Sequence, residues 1–73
     1  MSLVDSIKAA QLPPPAVRRR IRTDARVSLA DLAAELQVSP VTVHRWERGI
    51  VAPRRERAIA YRDLLEALRD AAA

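Results

Sequence analysis

The stretch Leu29-Ala30-Asp31-Leu32-Ala33-Ala34-Glu35-Leu36-Gln37-Val38-Ser39-Pro40-Val41-Thr42-Val43-His44-Arg45-Trp46-Glu47-Arg48 decides the fold. Just ahead of it, Ser28 begins a Ser-x-x-Asp capping pattern with Asp31, which opens a helix running to about Leu36. Its apolar face is Leu32, Ala33 and Leu36. Ser39 is an N-cap and Pro40 suits the first helical position behind it, so a second helix runs from Pro40 to about Arg48. Gly49 is placed to end that helix in the left-handed conformation. Only Gln37-Val38-Ser39 connects the two. A connection that short forces the axes to cross steeply, which is helix-turn-helix geometry. Ala33 is small because the second helix passes close over it. Val38 plugs the turn, and Val43 and Trp46 seal the second helix onto the first. Pro40, Val41, Thr42, His44, Arg45 and Arg48 are left on the free side, the side that enters the major groove in this motif.

The rest of the chain also reads as helix. A first helix spans about Leu3 to Gln11, with Ser2 as cap, Asp5 as its capping-box partner, and Leu3, Val4 and Ile7 on one face. Leu12 and Pro13-Pro14-Pro15 end it, because proline lacks an N–H and bars the preceding residue from the helical region. Pro15 then starts a second helix to about Ala25, with Val17 and Ile21 on one side and Arg18, Arg19 and Arg22 on the rest. After the apolar loop Ile50-Val51-Ala52, a last helix is predicted from Pro53 to about Arg69, striped by Ala58, Tyr61, Leu64, Leu65 and Leu68. No segment alternates apolar and polar residues like a strand. The expectation is an all-α bundle of about five helices forming one domain over 1–73. Residues 1–14 would be an N-terminal helix with its proline linker, and 15–69 the core.

Composition excludes several function classes. Of 73 residues, 49% are apolar, but 14 are alanine and only 19 are Leu, Val or Ile. A chain this short buries about 60% of its unfolded surface, enough for one small helical core and not for an enclosed substrate cavity. With no cysteine there is no disulfide, thiolate metal site or cysteine nucleophile. One histidine makes no zinc site without other ligands. Asp24, Asp31 and Glu35 lack metal-ligand spacing, and no glycine-rich phosphate loop is present. The reading is therefore a non-enzyme without metal or cofactor. The longest uncharged stretches are far too short to cross a membrane, and no basic segment leads into an apolar run at the N-terminus. A soluble protein inside a cell is expected.

Charge is unevenly placed. Thirteen cations, twelve of them Arg, against nine acids give a net +4. Residues 1–17 are neutral, 18–57 carry net +5 and 58–73 net −1. A basic middle between neutral ends is the layout of a polyanion-binding surface. It is equally the layout of a solvated Arg-rich face.

The stretch Ile21 to Ala33, Val38-Ser39, Val43 to Gly49 and Pro53 resembles the Xre/Cro-like helix-turn-helix family of phage repressors and bacterial regulators. The resemblance covers roughly residues 16–68. Its most specific parts are Leu32-Ala33, Val38-Ser39 and Trp46-Glu47-Arg48-Gly49 at the family's spacing. Three positions depart from the pattern. Leu29 stands where the family often has a Gln that touches phosphate or base. Gln37 replaces the usual glycine of the turn, where a left-handed conformation costs about 1 kcal/mol or more. Arg26 replaces the glycine before the capping pattern. Segment 1–14 has no counterpart in the minimal family pattern. The resemblance implies a sequence-specific regulator that binds a double-stranded DNA operator, of the Cro or immunity-repressor kind from a phage or mobile element. It also implies a homodimer on palindromic DNA, formed through helical surface already present or only on the operator.

Candidate base contacts are Pro40, Val41, Thr42, His44 and Arg45. Arg45 suits a bidentate contact with guanine, and Val41 and Thr42 suit thymine methyls. Arg45 has the alternative of a surface ion pair with Glu47 or Glu35. Candidate phosphate contacts are Arg22, Ser39, Arg48, Arg54 and Arg55. Ser39 and Ser28 read as caps rather than nucleophiles, and Trp46 and Tyr61 as core. Two alternatives stay open. An excisionase that bends DNA would suit the helix from Pro40, but such proteins often continue into a β-wing where helix is expected here. An antitoxin-like protein-binding module would use Ile50-Val51-Ala52 and Leu3–Ile7. The segment Leu3–Ile7 is expected to dock its apolar face, preferably on its own core and otherwise on a second copy.

Overall fold

The computed structural model describes residues 2–73. Five helices follow in order: α1 Leu3–Ala10, α2 Pro15–Asp24, α3 Leu29–Leu36, α4 Pro40–Glu47 and α5 Arg55–Ala72. No strand occurs among the described residues, so the fold is the all-α helix-turn-helix bundle expected. Each serine expected to cap does so. Ser2 Oγ accepts from Asp5 N at 3.1 Å, Ser28 Oγ from Asp31 N at 3.0 Å and Ser39 Oγ from Thr42 N at 3.2 Å. Pro15 and Pro40 take the first positions of α2 and α4, where an amide has no helical partner.

α5 departs from the sequence expectation at both ends. It starts at Arg55, not Pro53, because Arg54 is extended (φ −71°, ψ 160°) and serves as the N-cap. The first helical bond runs from Ala58 N to Arg54 O at 2.7 Å. It continues to Ala72 rather than stopping near Arg69, through the alanines best suited to helix.

The core lies where α2, α3, α4 and α5 meet. Ile21, Leu32, Ala33, Leu36, Val43, Trp46, Tyr61 and Leu65 form one buried cluster. Ala33 and Val43 are completely buried, as a close crossing of α3 and α4 requires. The Trp46 and Tyr61 rings lie 5.2 Å apart at 35°. α1 packs on α5, but not through its apolar face. Leu3, Val4 and Ile7 remain exposed, while Asp5, Ser6, Lys8 and Ala9 are half-buried. The expectation that the apolar face of the segment docks on its own core is thus corrected. The helix docks by its small and polar side.

Helices α2, α3 and α4 end the same way. After each, one residue is left-handed: Arg26 (φ 59°), Gln37 (φ 57°) and Gly49 (φ 71°). The next amide then reaches back five residues: Val27 N to Arg22 O at 3.2 Å, Val38 N to Ala33 O at 3.0 Å and Ile50 N to Arg45 O at 3.1 Å. These are Schellman closures, which satisfy carbonyls that the helix leaves without partners. Only the last has the glycine that the conformation favours. A Cβ at Gly49 would also sit 3.3 Å from Pro15 Cγ.

Gln37→Gly and Arg26→Gly should each stabilise the fold by about 0.5–1 kcal/mol, the relief of left-handed strain less the added freedom of the unfolded chain. Gly49→Ala should destabilise it, and denaturant titration of the three variants measures both signs. Tyr61 is the only tyrosine, and its hydroxyl has no hydrogen-bond partner among the described residues. Burial pushes its phenol up to about 12, with Glu47 adding to the shift and Arg18 and Arg22 opposing it. The folded state therefore keeps a proton that the unfolded state releases near pH 10. This contribution to stability is intact below pH 10 and disappears as pH climbs towards 12. Absorbance titration should show one phenol ionising near 12, and Tyr61→Phe should abolish this alkaline loss without cost at neutral pH.

Candidate nucleic-acid interface

Helix α4 has two unlike sides. Val43, Trp46 and Glu47 are buried. Pro40, Val41, His44 and Arg45 are exposed, and Thr42 is half-buried. Val41 leaves 55% of its surface in water. The Thr42 hydroxyl lies 2.8 Å from Ser39 Oγ, so each satisfies part of the other's hydrogen bonding. Arg48 caps the helix and is exposed.

The orientation of this face depends on Glu47, which falls one residue after Trp46 and four after Val43, on the core side. Its side chain is only 2% exposed. Arg22 of α2 meets it with both arms: Nε donates to Oε2 at 2.6 Å and Nη2 to Oε1 at 3.0 Å. Nη1 donates to Val27 O at 2.9 Å. One guanidinium thus ties α2, the α2–α3 loop and the end of α4 together. The hydrogen bond to Glu47 raises the Arg22 pKa further, against the opposing effect of burial. This corrects the expectation that Arg22 contacts phosphate. Its side chain is 12% exposed and its fork is committed inside the protein. It also removes the alternative that Glu47 pairs with Arg45 on the surface.

Other arginines are committed too. Arg18 Nε donates to Pro13 O at 2.6 Å and Nη1 to Trp46 O at 3.1 Å, with its guanidinium 5.9 Å from the Tyr61 ring centre. Desolvation lowers the Arg18 pKa, against the nearby Tyr61. Arg57 Nη1 donates to Leu36 O at 2.7 Å and so closes the end of α3. Arg62 pairs with Asp63 and Glu66, while the exposed Arg20 only stands 4.0 Å from Asp24.

By contrast, the side chains of Arg19, Arg45, Arg48 and Arg54 make no hydrogen bond or ion pair within the described residues. Arg19 and Arg48 line one cleft of about 440 Å³ together with Ala16, Arg22, Leu29, His44 and Glu47. Arg54 and Arg55 line a second with Gln37, Glu56, Arg57 and Ala60, beside the turn that precedes α4. Sequence reasoning did not assign Arg19 a contact. Nothing in a run of arginines on α2 distinguishes the one that the packing brings beside His44 and Arg48. Glu47 left a readable signal, an acid at core spacing between a buried Trp and the helix end. Among the described residues, no three His, Cys, Asp or Glu side chains gather as a metal site.

The buried pair sets a prediction. Arg22→Ala, or Glu47→Ala, should destabilise the domain by about 3–5 kcal/mol, because each leaves a buried charge alone. Replacing both together, as Arg22→Met with Glu47→Leu, should restore most of the loss. Denaturant midpoints of the three variants check this.

A family model described as Helix-turn-helix matches residues 19–68, more than half of the chain. No curated protein and no solved structure gives a significant match. No helix among the described residues is long and apolar enough to cross a membrane. The match covers the two crossed helices, the buried Arg22–Glu47 pair that orients them and most of α5. The chain belongs to the Xre/Cro-like helix-turn-helix family of DNA-binding regulators.

Proposed function

We propose that the protein is a sequence-specific transcriptional regulator of the Cro or immunity-repressor kind, acting on a double-stranded DNA operator in the cytoplasm of a bacterial host. One observation carries the reading. Among the described residues, the side chains of His44 and Arg45 on α4 and of Arg19, Arg48 and Arg54 beside it make no hydrogen bond or ion pair, whereas Arg18, Arg22, Arg57 and Arg62 are engaged within the protein. In this reading α4 lies in the major groove. Arg45 reads guanine, and Val41 with the Thr42 methyl meets thymine methyls. Pro40 and His44 border the same bases. Ser39, Arg48, Arg54 and Arg55 hold phosphates on either side. The protein acts without cofactor or metal and as a non-enzyme. Two copies on a palindrome would present two α4 helices one turn of DNA apart.

A second reading, a protein-binding module of antitoxin type, is favoured by the exposed Ile50 (68%) and Val51 (49%) just after α4. The helix α5, standing where an excisionase often carries a β-wing, argues for the regulator over that alternative.

Selection of bound duplexes from random DNA should yield one recurring motif. On it, Arg45→Ala should cost about 1–3 kcal/mol and relax preference at one base pair. Affinity should fall with salt at a log–log slope of about −0.9 for each phosphate neutralised, and Arg54→Ala should make that slope shallower by about one. Equal loss on all sequences for Arg45→Ala would reassign it to phosphate. Failure to enrich any duplex would favour the protein-binding module.

A further inference from the structure

The matched family region begins at residue 19, so neither the segment ahead of α2 nor Arg18 belongs to it. Both are nevertheless built onto the end of α4. Helix α1 packs on α5, and Leu12 packs against the core cluster. The proline linker follows, and Pro15 stands so close to Gly49, just past the last turn of α4, that a Cβ there would lie 3.3 Å from its ring. Arg18 completes the join. Its Nε donates to Pro13 O at 2.6 Å and its Nη1 to Trp46 O at 3.1 Å. One half-buried side chain thus bridges the linker and the last turn of α4. The acceptor on the linker is preset by covalent structure. The ring of Pro13 fixes its φ, and Pro14 restricts its ψ to the extended region, so Pro13 O is held in one direction.

Arg18 and Arg22 stand one turn apart on α2 and grip consecutive residues of α4, the first by the Trp46 carbonyl and the second by the Glu47 carboxylate. Glu47 settles the roll of α4. The attachment at Trp46 fixes its tilt, which a hold at one residue leaves free to pivot. Arg45 is next to that attachment. Val41 lies near the opposite end, which Ser39 caps.

We propose that Arg18 is a positioning residue for α4, and that through it the segment ahead of α2 raises the affinity for DNA without supplying a contact. The DNA part rests on the function proposed above. Arg18 itself is engaged elsewhere, with two nitrogens on carbonyls and its guanidinium 5.9 Å from the Tyr61 ring centre. The bridge needs two donors in fixed directions, which the planar fork of arginine supplies. A change of tilt displaces Arg45 most and Val41 least, so its effect on binding falls at one end of the helix.

The test uses the full chain with Arg18→Met, which keeps an apolar stem and loses both donors, and with Pro13→Gly, which keeps Arg18, changes no charge and frees the acceptor. Arg20→Ala, at an exposed position of the same helix, controls for the loss of one positive charge. All are compared at a temperature where circular dichroism shows each to be fully folded. On the selected duplex, Arg18→Met should bind about tenfold more weakly and Pro13→Gly about threefold, with Arg20→Ala close to the wild type. Arg45→Ala should cost about threefold less in the Arg18→Met background than in the wild type, while Val41→Ala should cost the same in both. Without DNA, Pro13→Gly should shift the nuclear magnetic resonance signal of the Glu47 amide, which shares its peptide group with Trp46 O. Wild-type affinity in both folded variants would overturn the positioning. Equal coupling to Val41 and Arg45 would do so too, as would a loss in Arg20→Ala as large as in Arg18→Met. If Arg18→Met does not fold, Pro13→Gly decides by its affinity and its Glu47 amide. In a chain that selects no duplex, a shifted amide would uphold the tie between linker and α4 and reject only the DNA reading, and an unmoved amide would overturn the tie as well.

Discussion

A single buried ion pair holds the presentation of α4. Glu47 sits one position from Trp46 on the core side of the helix, where a carboxylate without a cation would be too costly to desolvate. Arg22 meets both of its oxygens and spends a third donor on Val27 O. Three chain segments are thereby fixed to one planar group. Lysine could not replace it, because a point charge lacks the fork that matches a carboxylate at two atoms. The pair need not add much net stability. Its consequence is geometric, since only one rotation of α4 lets Glu47 reach that fork, and that rotation turns Arg45 and Val41 to solvent.

The ends of the helices work to the same purpose. Schellman closures after α2, α3 and α4 turn the chain sharply with few connecting residues. The short turn after α3 brings α4 across it closely enough to bury Ala33 completely. Two of the three closures use side-chain-bearing residues, Arg26 and Gln37, in a conformation that costs about 1–2 kcal/mol. The third uses Gly49, where Pro15 stands too near for a Cβ to be added freely. The side chains of Arg26 and Gln37 are exposed to solvent.

The arginines divide by partner rather than by position in the sequence. Arg18 and Arg22 are four apart on α2 and both turn inward, one to backbone carbonyls and one to Glu47. Arg19, between them, lines the cleft with His44 and Arg48. Arg57 closes α3 through Leu36 O although it belongs to α5. Much of the positive charge is therefore structural, and net charge alone overstates the surface available for a polyanion. Among the described residues, Arg19, Arg45, Arg48 and Arg54 have side chains without an internal partner, and in the function proposed above an external phosphate or base complements them.

Local rules in the sequence determined the helices and most of their ends. A serine three residues before an amide it can accept from, a proline at a first helical position, and apolar groups recurring at three and four residues are statements about neighbours along one chain. The crossing of α3 and α4 was legible for the same reason, since a three-residue connection leaves little choice. The outward set on α4 was legible as what remained after Val43 and Trp46 were turned inward. Which partner a long side chain finds was settled by packing between distant segments. Arg22 reads as a free cation until Glu47, twenty-five residues away, is seen beside it. Arg19 reads as one of a run until α4 lies next to it. The stripe of α1 reads as core because apolar groups on a short helix usually are. Its outward direction depends on how α1 is rolled against α5, a choice made by packing between segments that no local pattern encodes. Flexible side chains and helix roll are governed by contacts across the fold, and those exist only once the chain has folded.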